Sequence, residues 1–201
     1  MMRGRHVSLR KSHGLAVVAA GAAAGFVASL ALSALILLAE RVAGLPIGTF
    51  YLVLVSSISQ AADYSILAIA QGLLLHLLAG TVIGIILSAP FAVSKKAYGT
   101  LGALSPAYGL AAGALIWAAL FLPITYGSIV PLLQSLDGQS VISQRAPVGE
   151  TFRVAVSDLL AMTDRIIYTA LAFNMFFGLV GLVLTRAFAG AFLAGKKQVV
   201  L

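Results

Sequence analysis

Residues 15–39, 66–92, 104–122 and 166–185 are each apolar and carry no Asp, Glu, Lys or Arg. A helix needs roughly 20 such residues to cross the hydrocarbon core of a bilayer, where its backbone N–H and C=O groups must be paired within the segment itself. Four such runs in 201 residues leave no length for a separate soluble domain, so the pattern predicts an all-α, four-transmembrane-helix bundle. The charge content agrees: 9% of residues are Asp, Glu, Lys or Arg, against roughly 25% in soluble domains.

The first run follows a basic start (Arg3, Arg5, Arg10, Lys11) and is longer than the roughly 7–15 apolar residues of a signal peptide. It is expected to stay as the first span. The charges then sort by side. Segments 1–14, 93–103 and 186–201 hold Arg3, Arg5, Arg10, Lys11, Lys95, Lys96, Arg186, Lys196 and Lys197 and no acidic residue. The other two connections hold Arg41, Arg145, Arg153 and Arg165 together with all six acidic residues. The positive-inside rule then puts both termini in the cytoplasm of a cell-membrane protein. The net charge of +7 is explained by this topology and by anionic lipid headgroups, and nucleic acid is not expected as a partner. The chain has no cysteine, which excludes disulfides, thiolate metal sites and cysteine nucleophiles.

The chain thus reads as a basic tail (1–14), a first helix pair (15–92), a basic loop (93–103), a second helix pair (104–185) and a basic tail (186–201). Within the first pair, 44–59 is apolar but too short to span, which suits an interfacial or re-entrant helix with Phe50 and Tyr51 as belt aromatics. The third span is expected to end at Pro123. Between the last two spans, 125–164 is the largest polar stretch: a solvent loop in its middle, then an amphipathic helix from near Glu150 leading into the fourth span.

Small residues mark the expected helix contacts: Gly21 and Gly25, Gly80 and Gly84, Gly109 and Gly113, and Gly178 and Gly181. The halves match in outline as a parallel repeat would, each pair of spans carrying a Leu-Pro-Ile turn, although glycine-rich helices also match by chance. His76 and Asn174 each stand four residues before a glycine and near mid-span. With Gln71, Ser29 and Ser33 they form a candidate intramembrane polar layer. Three roles are open to His76: a hydrogen bond that pins neighbouring helices, part of a solute or proton path, or a ligand. Its spacing to Gly80 and Gly84 at i+4 and i+8 favours the first, because a close helix contact is a poor place for water. His6 and His13 lie in the tail, and neither a second intramembrane histidine nor a carboxylate completes a metal site, so no metal or cofactor is expected.

The stretch "LLHLLAGTVIGIILSAPF", a short basic loop and "YGLAAGALIWAALFLPIT" together resemble small four-span prokaryotic membrane proteins of unknown function. That resemblance implies fold and location but no activity. The glycines sit inside spans and match no phosphate or dinucleotide loop, and no Ser-His-carboxylate set shares one depth. The chain therefore reads as non-catalytic, an accessory or assembly subunit of a larger membrane complex of respiratory or monooxygenase type. Its partners would be the bilayer and other membrane subunits or further copies of itself. The alternative is a small channel or transporter built around His76 and Asn174.

Overall fold

The computed structural model describes residues 3–59, 66–135, 140–145 and 151–198. Its elements in chain order are α1 (Arg3–Val42), α2 (Thr49–Ser59), α3 (Ile66–Val93), α4 (Lys95–Ile116), α5 (Leu122–Ile124), α6 (Val130–Ser135), β1 (Ser140–Arg145), β2 (Thr151–Ala155), α7 (Val156–Ala161) and α8 (Thr163–Gln198). Four helical segments are long and apolar enough to cross a membrane: His13–Val42, Ile66–Val93, Leu104–Ser135 and Thr163–Ala194. A multi-pass helical membrane protein is thus the architecture.

Several boundaries differ from the sequence reading. Pro123 does not end the third span. Lacking an N–H, it cannot continue the ordinary i→i−4 ladder, and the helix passes it by widening on either side. Trp117–Phe121 and Thr125–Ile129 are π turns, in which Leu122 N–H bonds Trp117 O and Val130 N–H bonds Thr125 O, five residues back in each case. Next, the expected basic loop 93–103 is mostly helix. Only Ser94 separates α3 from α4, and its hydroxyl caps the new helix by accepting from Ala97 N–H at 3.2 Å. Lastly, the stretch read as an amphipathic helix from near Glu150 contains a strand. Glu150 and the middle of the loop (136–139 and 146–150) lie outside the described residues. Around them, β1 and β2 pair antiparallel, Ile142 opposite Val154 and Gln144 opposite Phe152, with a register shift between Ser140 and Ile142. The alternating aromatic and β-branched residues of "TFRVA" suit a strand, and the helix opens only at Val156.

The chain divides into two compact units. The first comprises residues 1–31, 77–114 and 175–201. Its core joins Val17 and Ala20 of α1 to Ala189 of α8, with Phe91, Ala92, Tyr98 and Phe188 packed around them. Backbones meet here without intervening side chains. A Cβ on Gly25 would fall on the Gly80 carbonyl oxygen, and one on Gly21 would meet Gly84 O at 2.6 Å. On the other pair of helices, a Cβ on Gly109 would sit 2.6 Å from Gly178 O, and one on Gly178 would sit 2.7 Å from Gly113 N. Gly181 departs from the expected pattern, its nearest neighbour being Ala28 of α1 at 3.9 Å. The two Leu-Pro-Ile segments also differ, Leu45–Ile47 being a non-helical turn and Leu122–Ile124 helical.

The second unit comprises residues 32–76 and 115–174. Its core is built by the short elements: Leu52 of α2, Leu133 of α6, and Val156 and Leu159 of α7, with Leu45, Ala68, Ile129 and Leu160 against them. Trp117 Nε1–H donates to Ile167 O at 3.0 Å, tying the π turn to α8.

The close approaches predict a sharp contrast among glycine substitutions. Gly25→Leu should cost at least the upper end of the ~1–3 kcal/mol typical of overpacking, read as lost monodisperse yield and a lowered Tm in detergent. Gly127→Ala, where a Cβ meets nothing within 4 Å, should leave both unchanged.

Candidate functional site

The most concentrated polar chemistry of the second unit surrounds the start of α2. A helix leaves its first N–H groups without partners inside the helix, and in apolar surroundings each unpaired group costs several kcal/mol. Glu40, in the last turn of α1 and only 5% exposed, supplies the partners. Its Oε2 accepts from Gly48 N–H at 2.7 Å and its Oε1 from Phe50 N–H at 2.7 Å. A carboxylate at this position also faces the positive end of the α2 dipole. Thr49 closes the turn, its Oγ1 donating to Pro46 O at 2.6 Å. The chain reaches this geometry through two left-handed residues, Gly44 at φ +71° and Gly48 at φ +92°, a backbone region open to glycine and costly for other residues.

Capped in this way, α2 lies against α3. Gly72 lets the backbones touch, since a Cβ there would fall on the Tyr51 carbonyl. One turn further along α3, His76 packs edge-on to Phe50 (ring centroids 6.0 Å apart) and Tyr51 (5.9 Å), while Phe50 and Tyr51 meet at 5.3 Å. Such edge-to-face contacts suit rings whose faces are electron-rich and whose edges are electron-poor. Tyr51 is 1% exposed, and its hydroxyl reaches toward Ser33 of α1 without closing a bond of good geometry. Burial pushes the Tyr51 phenol above its ordinary range; the Ser33 hydroxyl offsets part of the rise and the Glu40 carboxylate adds to it.

The expected polar layer is therefore rearranged. His76 and Ser33 do converge, but around Tyr51. Asn174 spends its amide on its own helix, Nδ2 donating to Ala170 O at 2.8 Å. Gln71 is exposed. Ser29 belongs to the first unit, where its hydroxyl lies against Gly80. Tyr51 is packed inward and is not a belt aromatic. Sequence reasoning missed Glu40, Tyr51 and Gly72. A signal for the last was present: Gly72, His76, Gly80, Gly84 and Ser88 form one i+4 stripe along α3.

Among the described residues no three His, Asp or Glu side chains are grouped to hold a metal ion. The arrangement can do two things chemically: fix a short helix by its N-terminus, and hold an imidazole beside a buried phenol. No protein-family profile, curated protein or solved structure matches this chain, so the four-span resemblance stands on its quoted motifs alone.

If Glu40 anchors α2, Glu40→Gln, which keeps one acceptor oxygen and loses the other, should destabilise the segment by about 1–3 kcal/mol. Glu40→Ala should cost more. Hydrogen exchange at the Gly48 and Phe50 amides would report it, rising about fivefold or more while amides of the first unit stay protected.

Proposed function

We propose that this chain is a non-catalytic accessory or assembly subunit of a larger membrane complex, of the respiratory or membrane-monooxygenase kind. The observation that carries the reading is the core of the second unit. Connections between spans need only be short and solvated, yet here Leu52, Leu133, Val156 and Leu159 are 1–6% exposed and pack α2, α6 and α7 into a small body, with β2 leading directly into α7. A packed platform is what a docking subunit needs, because a pre-ordered surface pays less entropy on binding. The polar groups fit the same reading. Glu40, Asn174 and Trp117 each engage backbone groups and hold the fold together.

The partition of charge along the sequence supports an orientation with both termini cytoplasmic and the hairpin on the opposite side of the cell membrane. The glycine faces, in contrast, support no docking role, since Gly21, Gly25, Gly80, Gly84, Gly109, Gly113 and Gly178 are taken up by contacts within the chain.

A second reading, a small channel or transporter, draws on one observation: the Ser33 and Tyr51 hydroxyls are buried, and the Tyr51 ring packs against the His76 ring. In that case Tyr51→Phe or His76→Ala would abolish flux in vesicles without loss of expression.

Gentle solubilisation from the native membrane separates the two. The accessory reading expects the chain in a stoichiometric complex with larger subunits, and expects replacement of residues 140–155 by a short Gly-Ser linker to release it while it still inserts. A lone monomer or homodimer from wild-type membranes contradicts it.

A further inference from the structure

We infer that the first unit carries a docking site for an anionic phospholipid headgroup, centred on Arg186 with Lys95 and Lys96. The charge partition coincides with the compact units. Residues 1–31, 77–114 and 175–201 include nine of the 13 Lys and Arg and none of the six Asp and Glu. No arginine or lysine of this unit has a carboxylate within it.

Arg186 feels that lack most. The sequence alone assigns it to the tail, but the fourth apolar helix runs from Thr163 to Ala194 and includes it. A cation on a membrane-crossing helix is satisfied by snorkelling toward the headgroups or by meeting an anion. Its guanidinium lies over Gly102 of α4, where a Cβ would sit 2.6–2.8 Å from it. Pro106 leaves the Gly102 carbonyl of α4 without its usual i+4 N–H. Arg186 is an exposed residue, and a guanidinium carries five N–H donors for an anion.

The surroundings fit a phosphodiester with its chains. Lys95 and Gly99 share the face of α4 that carries Gly102, and Lys95 and Lys96 are exposed. A Cβ on Gly99, or on Gly190 one turn beyond Arg186 on α8, would meet nothing within 4 Å, which leaves room beside the guanidinium. Val183, one turn before Arg186, is 41% exposed, apolar surface on which an acyl chain can lie. A planar guanidinium suits a phosphate through paired N–H donors, and the lysines add charge at the headgroup level.

The test uses the full chain reconstituted in phosphatidylcholine vesicles with trace spin-labelled phosphatidylglycerol or phosphatidylcholine, reading the protein-immobilised fraction of each. Wild type should immobilise phosphatidylglycerol in preference. Lys95→Gln, Lys96→Gln and Arg186→Gln should each weaken that preference, by up to about fivefold per charge. Arg41→Gln with Arg165→Gln, in the second unit, should not. Equal immobilisation of the two lipids by wild type overturns the proposal, as does a first-unit triple variant that keeps the wild-type preference. Should the triple variant insert poorly, a salt titration of the wild type decides. The preference should fall steeply as salt rises, and a salt-independent preference overturns the proposal.

Discussion

A helix that starts in apolar surroundings must find acceptors for its first N–H groups, and at the start of α2 two of them come from one side chain at the end of the preceding helix. Glu40 accepts from Gly48 and Phe50. Much of the second unit follows from that clamp. It sets where α2 begins, which brings Tyr51 toward Ser33, lays Phe50 and Tyr51 against His76, and delivers Leu52 to the core it shares with α6 and α7. The two hydrogen bonds to one side chain close a segment too short to be stable alone.

The first unit rests on a different principle. Without a hydrophobic driving force between helices in lipid, close van der Waals contact does the work, and it requires backbones that can touch. The α3 stripe from Gly72 to Ser88 serves both regimes in turn. Gly72 admits the Tyr51 backbone and His76 meets two aromatic rings, while Gly80 and Gly84 meet Gly25 and Gly21. The histidine at its centre meets two aromatic rings on a face otherwise occupied by the smallest residues.

How much of this could be read from the sequence depends on the range of the interaction. Span positions were legible because hydropathy is summed over many residues, and the helix within 44–59 was legible from its length. The glycine contacts were legible because i+4 spacing fixes a face, except at Gly181, whose partner depends on tertiary placement. Pro123 was misread as a stop because sequence rules do not show that flanking π turns can absorb the missing N–H. The candidate polar layer was inferred from depth alone. Depth does not reveal that Asn174 can satisfy itself on Ala170, nor that the Gly44–Gly48 turn folds α2 back onto Glu40. Glu40 looked like an ordinary acidic residue at the end of a span.

The geometry of the Glu40 clamp can be measured in a bilayer. Rotational-echo NMR on protein labelled with 13C at the Glu40 carboxyl and 15N at Gly48 and Phe50 would give both carbon–nitrogen distances. With N···O contacts of 2.7 Å, each is expected at about 3.5 Å. Distances beyond about 5 Å would rule out direct hydrogen bonds and contradict the account of how α2 is held.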